Sequence, residues 1–252
     1  MSAPPLVLIP ARLAATRLPD KPLADIAGKP MVVRVLEIAW AAGFHDAAVA
    51  AGDREIVAAV EAAGGRAVLT DPALPSGTDR ICAALASLDP DGRRDVVINL
   101  QGDVPTLPAD DLRAVAAALA AQPQADIATL VAPCRPQERA DPNTVKAVLS
   151  FGSDRTIGRA LYFTRASAPW GEGVLWHHIG VYAYRRAALE RFVCAPPSPL
   201  ETREKLEQLR ALELGMTICA AVTDAAPKGV DAPEDLALAR AAFGVTGEME
   251  PL

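Results

Sequence analysis

The chain has 252 residues, 51% of them hydrophobic and 22% charged, with a formal net charge of −6 and a sequence pI near 5.2. That length and apolar fraction predict a folded chain with a sizeable core and exclude disorder. The acidic balance excludes a general attraction to nucleic acid or anionic lipid, so an anionic ligand has to be met by local clusters of Arg and Lys.

Leu6-Val7-Leu8-Ile9, ended by Pro10, reads as a first strand buried on both faces. A loop rich in Arg, Lys and Pro comes next, and Pro30 then suits the first turn of a helix that runs to about Ala42 and closes at Gly43. Further strands are expected at Ala47–Ala50, Ala67–Leu69 and Val96–Leu100, separated by helices over Glu55–Ala63 and Asp79–Leu88. A helix over Asp110–Ala121 and a strand over Ile127–Val131 complete this rhythm. Strands alternating with helices predict an α/β fold, an open and mostly parallel sheet with helices on both faces. Ligands of such sheets bind at the carboxyl ends of strands, so the loops after Ile9, Leu69 and Leu100 should converge.

Beyond Val131 the pattern changes to segments of mixed polarity at Thr144–Leu149, Ala160–Phe163 and Ile179–Tyr184, which read as longer or antiparallel strands. Glu201–Leu214 reads as one helix ended by Gly215, Thr217–Val222 as a returning strand and Glu234–Ala242 as a closing helix. There is no internal repeat and no clean boundary, so residues 1–246 are expected to form one domain and 247–252 a frayed tail. Met1–Leu6 lacks a basic flank leading into a long apolar run, and no stretch approaches the roughly 18 apolar residues of a membrane span, which makes the cytoplasm the expected location. Cys82, Cys134, Cys194 and Cys219 form no Cys-x-x-Cys pair, and four buried, inert thiols are expected.

Arg12, Arg17, Lys21 and Lys29 stand in the loop between the first strand and the first helix. Guanidinium groups bind phosphate oxygens in pairs and Lys adds a mobile charge, so the loop suits a triphosphate, or it is a solvated basic loop. It lacks the usual glycine-rich nucleotide fingerprints. Gln101-Gly102-Asp103 comes after the strongest predicted strand, where a carboxylate can hold magnesium or merely cap a turn. Asp231 also lies between a predicted strand and a helix and has the same two readings. Ser76-Gly77-Thr78-Asp79-Arg80 enters a helix, where backbone amides can meet a base or phosphate or Thr78 can cap the helix.

In Trp176–Tyr184, alternation puts His178, Gly180, Tyr182 and Tyr184 on one strand face, suited to a polyhydroxylated anion, with His177 pointing away. A zinc reading of the His pair is poor, since adjacent strand residues face opposite ways. Glu204, Glu207 and Gln208 read as a solvated helix face.

Taken together, Ile9-Pro10-Ala11-Arg12, Thr16-Arg17-Leu18-Pro19, Lys21-Pro22-Leu23, Gly28-Lys29-Pro30-Met31, Ser76-Gly77-Thr78, Asn99-Leu100-Gln101-Gly102-Asp103, Asp141-Pro142-Asn143, His178-Ile179-Gly180-Val181-Tyr182, Ser198-Pro199-Leu200-Glu201, Leu206-Glu207-Gln208-Leu209-Arg210 and Gly229-Val230-Asp231 resemble, in order, the 3-deoxy-manno-octulosonate cytidylyltransferase family. The resemblance implies a nucleotide-diphospho-sugar transferase (Rossmann-like) fold and a cytoplasmic homodimer, with a sugar-binding and dimerisation subregion at about 132–215. It implies the reaction of CTP with 3-deoxy-D-manno-octulosonate (Kdo) to give CMP-Kdo and pyrophosphate for lipopolysaccharide assembly. Alternatives are another 2-keto sugar acid, such as an amino-Kdo or a sialic acid, or a non-catalytic nucleotide-binding scaffold. By matching positions, Ala11, Arg12, Lys21, Ser76, Arg80 and Gln101 would bind the nucleotide, with Arg12, Lys21 and Asp103 catalytic. Asp103 and Asp231 would bind Mg2+, and Arg165, His178, Tyr182, Glu207 and Gln208 would form the sugar-acid pocket. Three positions depart from the family: Val104 for a usual Glu, Gly52 for a usual Asp, and Leu74 for a frequent His.

Overall fold

Leu6–Ala11 forms strand β1, and its side chains are buried on both faces of the pleat, as a continuous apolar run requires. A computed structural model describes residues 3–14 and 18–245; Arg17 and the tail from Gly247 lie outside the described residues. After β1 come β2 (Asp25–Ile26), β3 (Lys29–Pro30), α1 (Met31–Ala41), β4 (Ala47–Ala51), α2 (Arg54–Ala62), β5 (Ala67–Leu69) and α3 (Gly77–Leu88). Next are β6 (Val96–Asn99), α4 (Ala109–Ala121), β7 (Ile127–Pro133), β8 (Lys146–Phe151), β9 (Ile157–Thr164) and β10 (Trp176–Arg185). The chain ends with α5 (Arg186–Cys194), α6 (Pro199–Glu204), α7 (Gln208–Glu213), β11 (Ile218–Val222) and α8 (Pro233–Val245).

These elements make two compact units, one of Met1–Arg94, Asn99–Leu112 and Pro227–Leu252, the other of Asp95–Ile98 and Arg113–Ala226. In the first unit β1, β4 and β5 pair in parallel, with Val7 opposite Ala47 and Val49 opposite Ala67. Helix α1 buries Met31, Val32, Val35, Leu36 and Ala39 and ends before Gly43, whose φ of 87° is the left-handed geometry that suits glycine. Ile26, Met31, Val230, Leu236 and Ala239 bury a small core that joins the β2–β3 hairpin, α1 and α8. The Arg34 guanidinium lies 4.7 Å from the Phe243 ring on the same seam, and Arg240 donates to the Asp25 carbonyl at 2.8 Å. This seam holds Val230, and with it the Asp231 loop, against the β2–β3 hairpin and α1.

In the second unit the strands run in the order β6-β10-β7-β11-β9-β8. β10 pairs antiparallel with β7 and β8, β9 antiparallel with β8 and β11, and β11 parallel with β7. Two expectations need correction here. The single helix over Glu201–Leu214 is two, because Lys205 takes φ 56° and ends α6; a capping box between Ser198 and Glu201 starts it. Only Cys219 is a buried thiol: Cys82 and Cys134 are half-buried and Cys194 is exposed. The β2–β3 hairpin and α5 are additions to the elements expected from periodicity. Among the described residues no helix is long and apolar enough to cross a membrane.

Candidate active site

Where β1 ends, Arg12 is exposed, and the chain returns through one 3-10 turn, Lys21–Leu23, held by the buried Pro22. Opposite, the chain leaves Leu100, whose amide donates to the Leu8 carbonyl at 3.1 Å, and turns at Gly102. A Cβ on Gly102 would stand 2.8 Å from the Pro10 carbonyl oxygen, closer than any side chain tolerates. The Asp103 carbonyl then accepts the Val230 amide at 2.8 Å, tying the two carboxylate-bearing loops together through backbone. Gly102→Ala is therefore expected to cost about 1–3 kcal/mol in urea unfolding and to displace Asp103 with a loss of turnover. Unchanged stability would show that this close approach is not needed.

Lys21 Nζ donates to Asp103 Oδ2 at 2.9 Å and to Asp231 Oδ1 at 3.0 Å. One ammonium thus stands between the two carboxylates, on a side chain only 16% exposed. Burial alone would lower the Lys21 pKa, but the Asp103 and Asp231 carboxylates outweigh it and the value is raised. Lys21, Arg12, Ala11, Gln101, Gly102 and Asp103 help line a cavity of about 360 Å³. Of the other two cations of that loop, Lys29 pairs with Glu37 on α1, and Arg17 lies outside the described residues.

The departure at Gly52 has a steric counterpart. A Cβ there would meet Arg80 Nη1 at 2.9 Å and Arg12 Cβ at 3.1 Å, so the buried Arg80 guanidinium fills the space. Arg80 Nη1 donates to Thr70 Oγ1 at 2.6 Å and to the Asp71 carbonyl at 3.1 Å. Burial, then the neighbouring Arg12, hold its pKa below the usual value against the pull of Asp53 and Asp71. Asp53 pins the opening loop by accepting the Leu13 amide at 2.7 Å, a role sequence reasoning missed. Ser76, rather than Thr78, caps α3: its hydroxyl accepts the Asp79 amide at 3.1 Å and donates to the Asp79 carboxylate at 2.6 Å. Gln101 donates to Asn99 Oδ1 at 3.2 Å. Nothing in the structure explains Leu74.

In the second unit, β10 and the start of α7 gather His178, Tyr182, Glu207 and Gln208. The His178 ring lies 5.5 Å from that of Tyr182 and 4.8 Å from that of Phe163. Burial, and then the charge of Glu207, push the Tyr182 phenol upward, so it stays protonated. Arg165 spends three of its five N–H groups on backbone carbonyls, Nε on Glu204 at 2.9 Å, Nη1 on Pro142 at 3.0 Å and Nη2 on Lys205 at 3.3 Å. Glu204 is not a solvated charge: its carboxylate accepts from the Thr164 hydroxyl at 2.8 Å and the Arg165 amide at 3.1 Å. Thr129 on β7, unmarked in the sequence except as a lone hydroxyl inside an apolar strand, also touches His178.

Comparison with known proteins identifies the family. The cytidylyltransferase family profile matches residues 6–218. The chain is 60% identical over 238 residues to the 3-deoxy-manno-octulosonate cytidylyltransferase of Rhodospirillum centenum, covering 94% of this chain and 92% of that one. It is 61% identical over 238 residues to the protein of the same name from Azorhizobium caulinodans, covering 94% of each. Among solved structures, a CMP:2-keto-3-deoxy-manno-octonic acid synthetase complexed with CTP superposes with a TM-score of 0.88 at 36% identity, covering 97% of this chain and all of that one. The ordered motifs, the paired carboxylates on Lys21 and these matches together place the chain: it belongs to the 3-deoxy-manno-octulosonate cytidylyltransferase family.

Proposed function

We propose that the chain transfers CMP from CTP to the anomeric hydroxyl of Kdo, releasing pyrophosphate, and works in the cytoplasm as a homodimer serving lipopolysaccharide assembly. The convergence of Asp103 and Asp231 on one ammonium carries this reading. We read the fold as that of the nucleotide-diphospho-sugar transferases, a Rossmann-like open mixed sheet, which the parallel pairings of β1, β4 and β5 in the first unit support.

Arg12 and Lys21 hold the triphosphate, while Ala11, Ser76, Arg80 and Gln101 place the cytidine. As phosphate oxygens arrive, Lys21 turns from the carboxylates toward them. Asp103 and Asp231 fit Mg2+: they already share a cation, both are hard oxygen donors, and this ion commonly takes one or two carboxylates with water and phosphate completing its shell. When bound, it would lower the pKa of the sugar hydroxyl and neutralise charge at the α-phosphate. Arg165 keeps two N–H groups for the sugar carboxylate, and His178, Tyr182, Glu207 and Gln208 complete the pocket. The remaining task is to align hydroxyl, α-phosphorus and departing pyrophosphate, which needs positioning and charge neutralisation and no covalent enzyme intermediate.

The test offers purified protein CTP or UTP with Mg2+ and a panel of Kdo, amino-Kdo and sialic acid, scoring pyrophosphate and the mass of the nucleotide sugar. CMP-Kdo from CTP is expected. CTP binding without any CMP-sugar would favour a scaffold, and a preference for another acid would move the substrate.

A further inference from the structure

Thr129 lies in the middle of β7, fully buried, opposite a break in the register of β10. Ile179 pairs with Leu130 and Ala183 with Ala128, so three residues of β10, Gly180, Val181 and Tyr182, lie between pairs that on β7 are separated by Thr129 alone. Its hydroxyl stands in for ladder hydrogen bonds that the bulge removes: Oγ1 is 3.0 Å from the Ile179 carbonyl and 2.9 Å from that of Val181. The same oxygen is 3.0 Å from Nε2 of His178.

Three polar neighbours therefore meet one hydroxyl proton. Two are carbonyls that only accept, so the proton goes to one of them and Oγ1 offers a lone pair to the imidazole. Nε2 of His178 must then carry a hydrogen. Burial, and then the charge of His177, push the His178 pKa down to about 3, so the ring is neutral and holds that hydrogen alone. Nδ1 is left as an acceptor, and it faces Nε2 of Gln208 at 3.5 Å. Gln208 is itself buried, and with the nitrogen of its planar amide turned to the ring its Oε1, on the same carbon, is directed away from Nδ1. Both nitrogens of His178 are committed inside the protein.

We propose that Thr129 is a positioning residue of the sugar-acid pocket: through the β10 bulge and the Nε2–H tautomer of His178 it fixes the Gln208 amide with its oxygen toward the ligand. This rests on the reading of the pocket given above. It assigns Gln208 as an acceptor for a sugar hydroxyl, so the pocket demands a donor there, and His178 acts through Gln208 rather than on the sugar.

The chain has three His residues, so 15N-His labelling with a His178→Asn variant for assignment reads the tautomer directly. A protonated Nε2 and bare Nδ1 are expected in the wild type. Thr129→Val, nearly the same shape, should mix or reverse the tautomer and raise KM for the sugar acid about tenfold, with kcat and KM for CTP within twofold. Thr129→Ser should restore wild-type values. A wild-type His178 that is Nδ1-protonated or cationic would overturn the proposal without need of any variant. So would a Thr129→Val protein with unchanged tautomer and sugar KM. If no sugar acid is turned over although the Nε2–H tautomer is found, the sugar-acid reading of the pocket falls, and the placement of Gln208 by Thr129 and His178 stands.

Discussion

Asp103→Asn should lower kcat by at least about a thousandfold, the scale expected when a charge-stabilising group is removed at a reacting phosphate. Asn keeps the volume and one oxygen but removes the charge. The fold should survive, because Asp103 joins the Asp231 loop through its backbone carbonyl, which the substitution leaves in place. Lys21 keeps Asp231 at 3.0 Å, so no buried cation is stranded. CTP should still bind, since Arg12 and Lys21, the residues proposed to hold its triphosphate, remain. The measurement is steady-state turnover over a range of Mg2+ concentrations, with circular dichroism and CTP titration as controls. A folded variant with kcat within tenfold of wild type would remove Asp103 from the chemistry and leave its contact with Lys21 as a structural ion pair.

Much of this site is legible in the sequence, because the constraints on it are local. The Leu6–Ile9 run marks where a buried strand ends, and the cation loop begins directly at its carboxyl end; the same logic finds Asp103 after β6. The features that escape the sequence depend on partners far along the chain. Lys29 and Lys21 look alike in the loop, yet Glu37 claims one and Asp103 with Asp231 the other, 82 and 210 residues away. The split of α6 from α7 turns on one left-handed residue, Lys205, that helical periodicity does not register. Glu204 has the pattern of surface charge, and only the arrival of β9 makes it the acceptor for Thr164. Thr129 is hidden for the same reason, since its role exists only once β10 bulges beside it.

The second large effect concerns the support of Glu207 and Gln208. Arg210 and Glu201, 8% and 12% exposed, form a two-point ion pair, with Nε to Oε2 at 2.7 Å and Nη2 to Oε1 at 2.5 Å. Arg210 also stacks on Phe192 at 4.6 Å and reaches the Ala195 carbonyl at 3.3 Å, so one guanidinium fastens α5, α6 and α7. Glu201→Ala takes the two-point carboxylate partner away from that buried cation, leaving the looser contact with Glu207 at 3.9 Å, and should cost about 3–5 kcal/mol. The pH dependence has a definite sign. Burial pushes the Glu201 pKa up, but the Arg210 hydrogen bonds and the Ser198 amide outweigh it and the folded value is lowered. A carboxylate with a depressed folded pKa contributes stability that is fully present above its unfolded value, roughly 4.3. That contribution is lost as pH falls from there through the folded value. Urea unfolding at pH 7 should therefore show the full difference between wild type and Glu201→Ala, and the gap should narrow below about pH 4 as the wild type loses the same charge. A gap under about 1 kcal/mol at pH 7, or one that widens in acid, would show that packing and not this ion pair holds the three helices together beside the proposed sugar-acid pocket.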